Sequence, residues 1–156
     1  MGTAEIACAP LNALHDLPGC EIVSVLTQPD RPSGRSMKMQ SSAVKHCAEE
    51  HGFSVLQPPT LRDDGVLEQL RSLQADLIVV TAFGQILPQS VLDLPKHGAV
   101  NIHASILPRH RGAAPIQWAI LEGDRETGVT LMKMGEGLDT GDIMAVSRTA
   151  IQTTDT

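Results

Sequence analysis

The chain has 156 residues, a formal net charge of −6, and hydrophobic and charged contents of 42% and 19%. That length fits one domain with a buried core, and the balance is that of a globular protein rather than a disordered or membrane-spanning one. The acidic charge, with two Phe, one Trp and no Tyr, excludes a broad basic or base-stacking face as the main grip on nucleic acid. Cys8, Cys20 and Cys47 lie far apart with no Cys-x-x-Cys spacing, which argues against both a disulfide framework and a zinc site. No apolar run is long enough for a bilayer and no segment reads as a signal peptide, so a cytoplasmic protein without membrane contact is expected.

Taken in chain order, Ala4 to His15 reads as a helix and Glu21 to Thr27 as a strand. Gln28 to Gln40 is a long polar loop whose Pro29, Pro32 and Gly34 prevent a helix at its start. Ser42 to His51 is an amphipathic helix stopped by Gly52, and Ser54 to Gln57 is a brief strand ended by Pro58 and Pro59. Arg62 to Leu73 is a further helix. Asp76 to Ala82 is an apolar strand expected to be buried on both faces. Ala99 to His103 is a strand, and Pro115 to Leu121 is a short helix with proline in its first turn. Gly128 to Met134 and Asp142 to Ser147 are two late strands. This alternation predicts an α/β, doubly wound sheet with ligands bound beyond the carboxyl ends of its strands.

Three segments follow such ends: Phe83 to Pro88, the pair Asn101 and His103, and the glycine-rich loop Gly135 to Gly141. Asn101 and His103 are two apart on a strand, so both project to one face while Val100 and Ile102 project to the other. A polar pair in an apolar strand needs partners. Asp139 sits among glycines that let its loop approach another element, and a carboxylate beside an imidazole orients the ring and favours its protonated form. Taken singly, His103 is as readily a structural histidine and Asp139 a turn residue. Together, an amide donor, an imidazole and a carboxylate suit acyl-type transfer, with direct attack by a substrate amine in place of a Ser or Cys nucleophile. His97, His103 and His110 lack a metal-ligand spacing, so no metal is expected.

The run NIHASILPRHRGAAPIQWAILEGD, followed by TGVTLMKMGEGLDTGDI, resembles the signature of the folate-dependent formyltransferases, closely over residues 99–143 and loosely over nearly the whole chain. TQPDRPSGR at 27–35, AFGQILP at 82–88 and RGAAPIQ at 111–117 are most similar to the members that formylate methionine on charged initiator tRNA, with 10-formyltetrahydrofolate as donor. The resemblance implies a Rossmann-like, mostly parallel sheet. It implies that Asn101 and His103 bind the formyl oxyanion, with Asp139 paired to His103 and handling protons. It implies a folate pocket formed by Phe83, Gly84, Gln85, Ile86 and Leu87 and by Ser105, Ile106, Leu107 and Pro108, with Leu107–Pro108 cis. It places Arg35 near the tRNA acceptor end. The implied partners are folate and charged initiator tRNA, with no stable protein partner.

Two departures stand out: Ile106 replaces the family's usual leucine, and Ser36-Met37-Lys38 carries one cation fewer than the usual Gly-Lys-Lys. Sister members acting on formyltetrahydrofolate itself, on amino sugars or on glycinamide ribonucleotide are the alternatives, as is a folate-binding module without turnover. The family pattern also predicts that residues 1–156 are a partial catalytic domain. In that pattern a first, central strand belongs between those at 21–27 and 76–82, a tRNA-binding domain lies C-terminally, and an organellar location follows if a transit peptide was lost with the N-terminus.

Overall fold

The computed structural model describes residues 1–33, 37–135 and 137–155. Among the described residues, five α-helices and eight strands follow a 3-10 turn at Glu5–Ala7. The helices are α1 (Cys8–His15), α2 (Ala43–Glu50), α3 (Asp64–Ser72), α4 (Gln89–Leu92) and α5 (Pro115–Leu121). The strands are β1 (Val25–Leu26), β2 (Arg31–Ser33), β3 (Lys38–Gln40), β4 (Val55–Leu56), β5 (Ile78–Val80), β6 (Ala99–His103), β7 (Glu126–Lys133) and β8 (Ile143–Ala150). Local chemistry explains several boundaries. The Ser42 and Asp63 side chains accept from the Lys45 and Val66 amides and so cap α2 and α3. Pro115 opens α5, where its missing N–H costs nothing.

β1 and β4 pair in parallel, and β5 and β6 pair in parallel. β7 and β8 then extend the sheet antiparallel, in the order β5-β6-β7-β8. The doubly wound α/β class holds, with an antiparallel edge. Val25 and Leu26 are consecutive in β1 and so point to opposite faces. Val25 packs with Ala7, Leu11, Val44 and Ala48 from α1, α2 and the turn before them. Leu26 packs with Leu70, Val80, Val91 and Leu92 on the side of α3 and α4.

The predicted strands at 21–27 and 76–82 are shorter than expected, because their facing edges are largely unpaired. β1 and β5 are not paired to each other. Met1 and Gly2 lie between them. The Gly2 amide donates to the Leu26 carbonyl at 2.9 Å, the Thr81 amide donates to the Met1 carbonyl at 2.9 Å, and Gly2 bridges Thr81 in parallel. Beyond Met1 a cavity of about 650 Å³ separates the two edges, lined by residues 19–26 on one side and 73–79 on the other. Val23 and Leu77 are consequently 42% exposed each, so the strand at 76–82 is not buried on both faces as its composition predicts. The polar stretch at 28–40 also differs from the expected loop: β2 and β3 pair antiparallel, Arg31 opposite Gln40 and Pro32 opposite Met39. α4 has no counterpart among the predicted elements. Among the described residues, no helix is long and apolar enough to cross a membrane.

Candidate active site

β6 is the element that delivers the site. Its Ala99 and Val100 are buried, and antiparallel pairing sets Asn101 opposite Met132 and His103 opposite Thr130. The loop joining β7 to β8 returns Asp139 to the same end of the sheet. Asp139 is in the left-handed region (φ 51), which aspartate tolerates better than most residues. A methyl group at Gly141 would collide with the Lys133 carbonyl oxygen, so a residue without a side chain is needed where this loop folds back onto β7.

The structure brings Asn101, His103 and Asp139 together. Asn101 Nδ2 donates to Asp139 Oδ1 at 3.3 Å, and His103 Nδ1 stands 3.6 Å from Asp139 Oδ2. The backbone N–H of Gly112 donates to Asp139 Oδ2 at 2.8 Å, a firmer anchor that the sequence did not reveal. The His103 and Asp139 side chains are each only 7% exposed. His103 Nε2 lies 2.9 Å from the His110 carbonyl oxygen. A carbonyl only accepts, so Nε2 carries a proton and Nδ1 is the nitrogen that faces Asp139. Nδ1 can then donate to a developing oxyanion only when the ring carries a second proton.

Ser105 to Pro108 follows β6 directly, and the Leu107–Pro108 bond is cis. Ser105 and Leu107 are buried, and Thr130 holds this turn by accepting from the Leu107 amide at 3.1 Å and donating to the Ser105 carbonyl at 2.7 Å. Phe83 to Leu87 follows β5. Phe83 and Leu87 are buried while Ile86 is 78% exposed, an apolar side chain offered to the surface. The Phe83 carbonyl is taken by Thr3 Oγ1 and Gln28 Nε2, and Gln85 Nε2 donates to the Pro58 carbonyl. Arg35 lies outside the described residues. The cavity between β1 and β5 is lined by none of Asn101, His103 and Asp139.

A second polar cluster adjoins the site. His110 Nε2 is 2.7 Å from Asp124 Oδ2, and the Arg109 guanidinium donates to Asp124 at 2.7 and 2.9 Å and to Glu122 at 2.7 Å. Hydrogen bonds from Arg109 and then His110 hold the Asp124 carboxyl down at about 2. Its stabilising contribution is therefore present above the usual carboxylate range near pH 4 and lost as pH falls through about 2. Donor atoms of His110, Glu122 and Asp124 lie within 4.8 Å of one another, a spacing compatible with a metal ion. Arg109 already supplies a cation to both carboxylates, which opposes that use.

A family model described as formyl transferase matches residues 1–156. The chain is 59% identical over 155 residues to the methionyl-tRNA formyltransferase of Nitrosospira multiformis, covering 99% of this chain and 49% of that one. It is 56% identical over 144 residues to the enzyme of the same name from Geobacter metallireducens, covering 92% of this chain and 46% of that one. The chain thus spans about half the length of the curated relatives it matches. Among solved structures, phosphoribosylglycinamide formyltransferase from Bacillus halodurans superposes with a TM-score of 0.77 at 25% identity, over 99% of this chain and 80% of that one. A formyltetrahydrofolate deformylase from Pseudomonas syringae pv. tomato shares the fold, with a TM-score of 0.71 at 24% identity over 97% of this chain and 49% of that one.

Proposed function

The chain belongs to the formyl transferase family, and we propose that it moves a formyl group from 10-formyltetrahydrofolate to the amino group of methionine on charged initiator tRNA. The observation that carries this proposal is the meeting of Asn101, His103 and Asp139 at the carboxyl end of β6, in a chain whose curated relatives are named for that reaction. The amine attacks the formyl carbon, a C–N bond forms, and the carbonyl electron pair moves to oxygen. Asn101 Nδ2 and protonated His103 Nδ1 donate to that oxyanion, which preorganised donors stabilise without reorganisation. The amine's proton passes to Asp139. When the intermediate collapses, the bond to folate N10 breaks and N10 takes a proton from the same His103–Asp139 pair.

In this proposal Phe83 to Leu87 and Ser105 to Pro108 form the folate pocket, Arg35 meets the tRNA, and no step requires a metal ion. The net charge of −6 favours a grip on tRNA that rests mainly outside these residues. The discriminating experiment offers the full chain 10-formyltetrahydrofolate with charged initiator tRNA, glycinamide ribonucleotide or an amino-sugar nucleotide. Formylmethionyl-tRNA is the expected product. Formyl transfer to another acceptor, or release of formate alone, would contradict the assignment of acceptor. Folate binding without any turnover would leave a binding module.

A further inference from the structure

His103 is held from behind by a main-chain carbonyl, and that carbonyl belongs to a residue in an unusual conformation. His110 is in the left-handed region (φ 55), which side chains with a Cβ rarely adopt without outside support. The support is visible. The His110 ring, 8% exposed, bonds Asp124 at 2.7 Å, and Asp124 is gripped through both oxygens by Arg109. Asp124 is itself fixed at the end of α5, where its amide donates to the Ala119 carbonyl at 2.9 Å. Ser105 Oγ donates to the Arg109 carbonyl at 2.6 Å and steadies the same turn from its other side.

We propose that His110 is a positioning residue, and that Arg109 and Asp124 tether it so that its carbonyl fixes the proton of His103 on Nε2 and leaves Nδ1 towards Asp139. This rests on the catalytic reading of His103. The chain of contacts runs from α5 through Asp124 and His110 to the His103 ring, so a change at Asp124 reaches the site without touching substrate. The side chain of residue 110 has two duties, to tolerate the left-handed backbone and to bond Asp124. Glutamine meets both, since it is unbranched and adopts that region at Gln74 (φ 49), and its amide nitrogen reaches about as far from the backbone as ring Nε2. Valine meets neither.

The test uses the full chain labelled with ¹⁵N-histidine, with ring nitrogen shifts and steady-state turnover measured for wild type, Asp124→Ala, His110→Gln and His110→Val. The neutral His103 ring of the wild type is expected to carry its proton on Nε2. Asp124→Ala and His110→Val should shift the ring towards a tautomer mixture and lower kcat by about tenfold, with KM for the formyl donor changed by less than about twofold. His110→Gln should retain both wild-type values. An unchanged tautomer in Asp124→Ala and His110→Val overturns the proposal, as does a tautomer shift with kcat intact, or a glutamine variant as impaired as the valine one. If His110→Val does not fold, Asp124→Ala and His110→Gln decide the matter. Full turnover in His103→Ala would instead remove the catalytic reading, while the tautomer measurement still reports on the tether.

Discussion

Asp139→Asn is expected to lower formyl transfer by about 10²- to 10⁴-fold, the range for a positioned acid–base group. The substitution isolates the charge. Asparagine matches aspartate in size, tolerates the left-handed backbone at φ 51, and keeps an acceptor for the Gly112 amide. What it loses is the carboxylate that faces His103 Nδ1 at 3.6 Å and the site that receives the amine proton. The melting temperature should therefore move little while kcat collapses. Steady-state kinetics beside a thermal melt check this. A variant that melts normally and turns over within about twofold of wild type would mean that Asp139 is only a turn residue.

Gly141→Ala is expected to damage the same site through the backbone. Its new methyl meets the Lys133 carbonyl oxygen, which is main chain and cannot rotate away. The Lys133 amide also closes the loop, donating to the Asp142 carbonyl at 2.9 Å. The loop must move, and Asp139 moves with it. Stability should fall by about 1–3 kcal/mol, as for other overpacked positions. Turnover should fall by roughly 10²-fold, the effect of about an ångström of misplacement. Denaturant unfolding and kinetics on one preparation separate the two effects. Normal turnover in the alanine variant would show that the loop does not set the position of Asp139.

The parts of the site legible in the sequence are those written in side chains. Asn101 and His103 alternate with Val100 and Ile102, so their common face follows from strand geometry, and β6 has the predicted bounds. The capping serine before α2 and the proline opening α5 likewise mark elements that formed as predicted. The strand at 21–27 was overextended because its composition reports burial between two neighbours, whereas the structure gives it β4 on one side and only Gly2 on the other. The β2–β3 hairpin was invisible for the opposite reason. Pro32 and a run of exposed polar residues look like loop, and only the cross-strand pairing reveals two strands. The roles of Gly112 and His110 rest on a main-chain N–H, which every residue but proline possesses, and on a main-chain carbonyl, which every residue possesses. Asp124 could have been suspected from its place in the signature run, but its pairing with His110 depends on how α5 ends.

The formyl donor is expected to bind against Asn101, His103 and Asp139 rather than in the cavity between β1 and β5. The most direct measurement is a titration of the ¹⁵N-labelled full chain with 5-formyltetrahydrofolate, a folate that carries a formyl group on N5 rather than N10. The ring signals of His103, the side-chain amide of Asn101 and the backbone amides of Phe83 to Leu87 should shift together and saturate with one affinity. Shifts confined to Val23, Val25, Leu77 and Val79, with His103 and Asn101 unmoved, would contradict it.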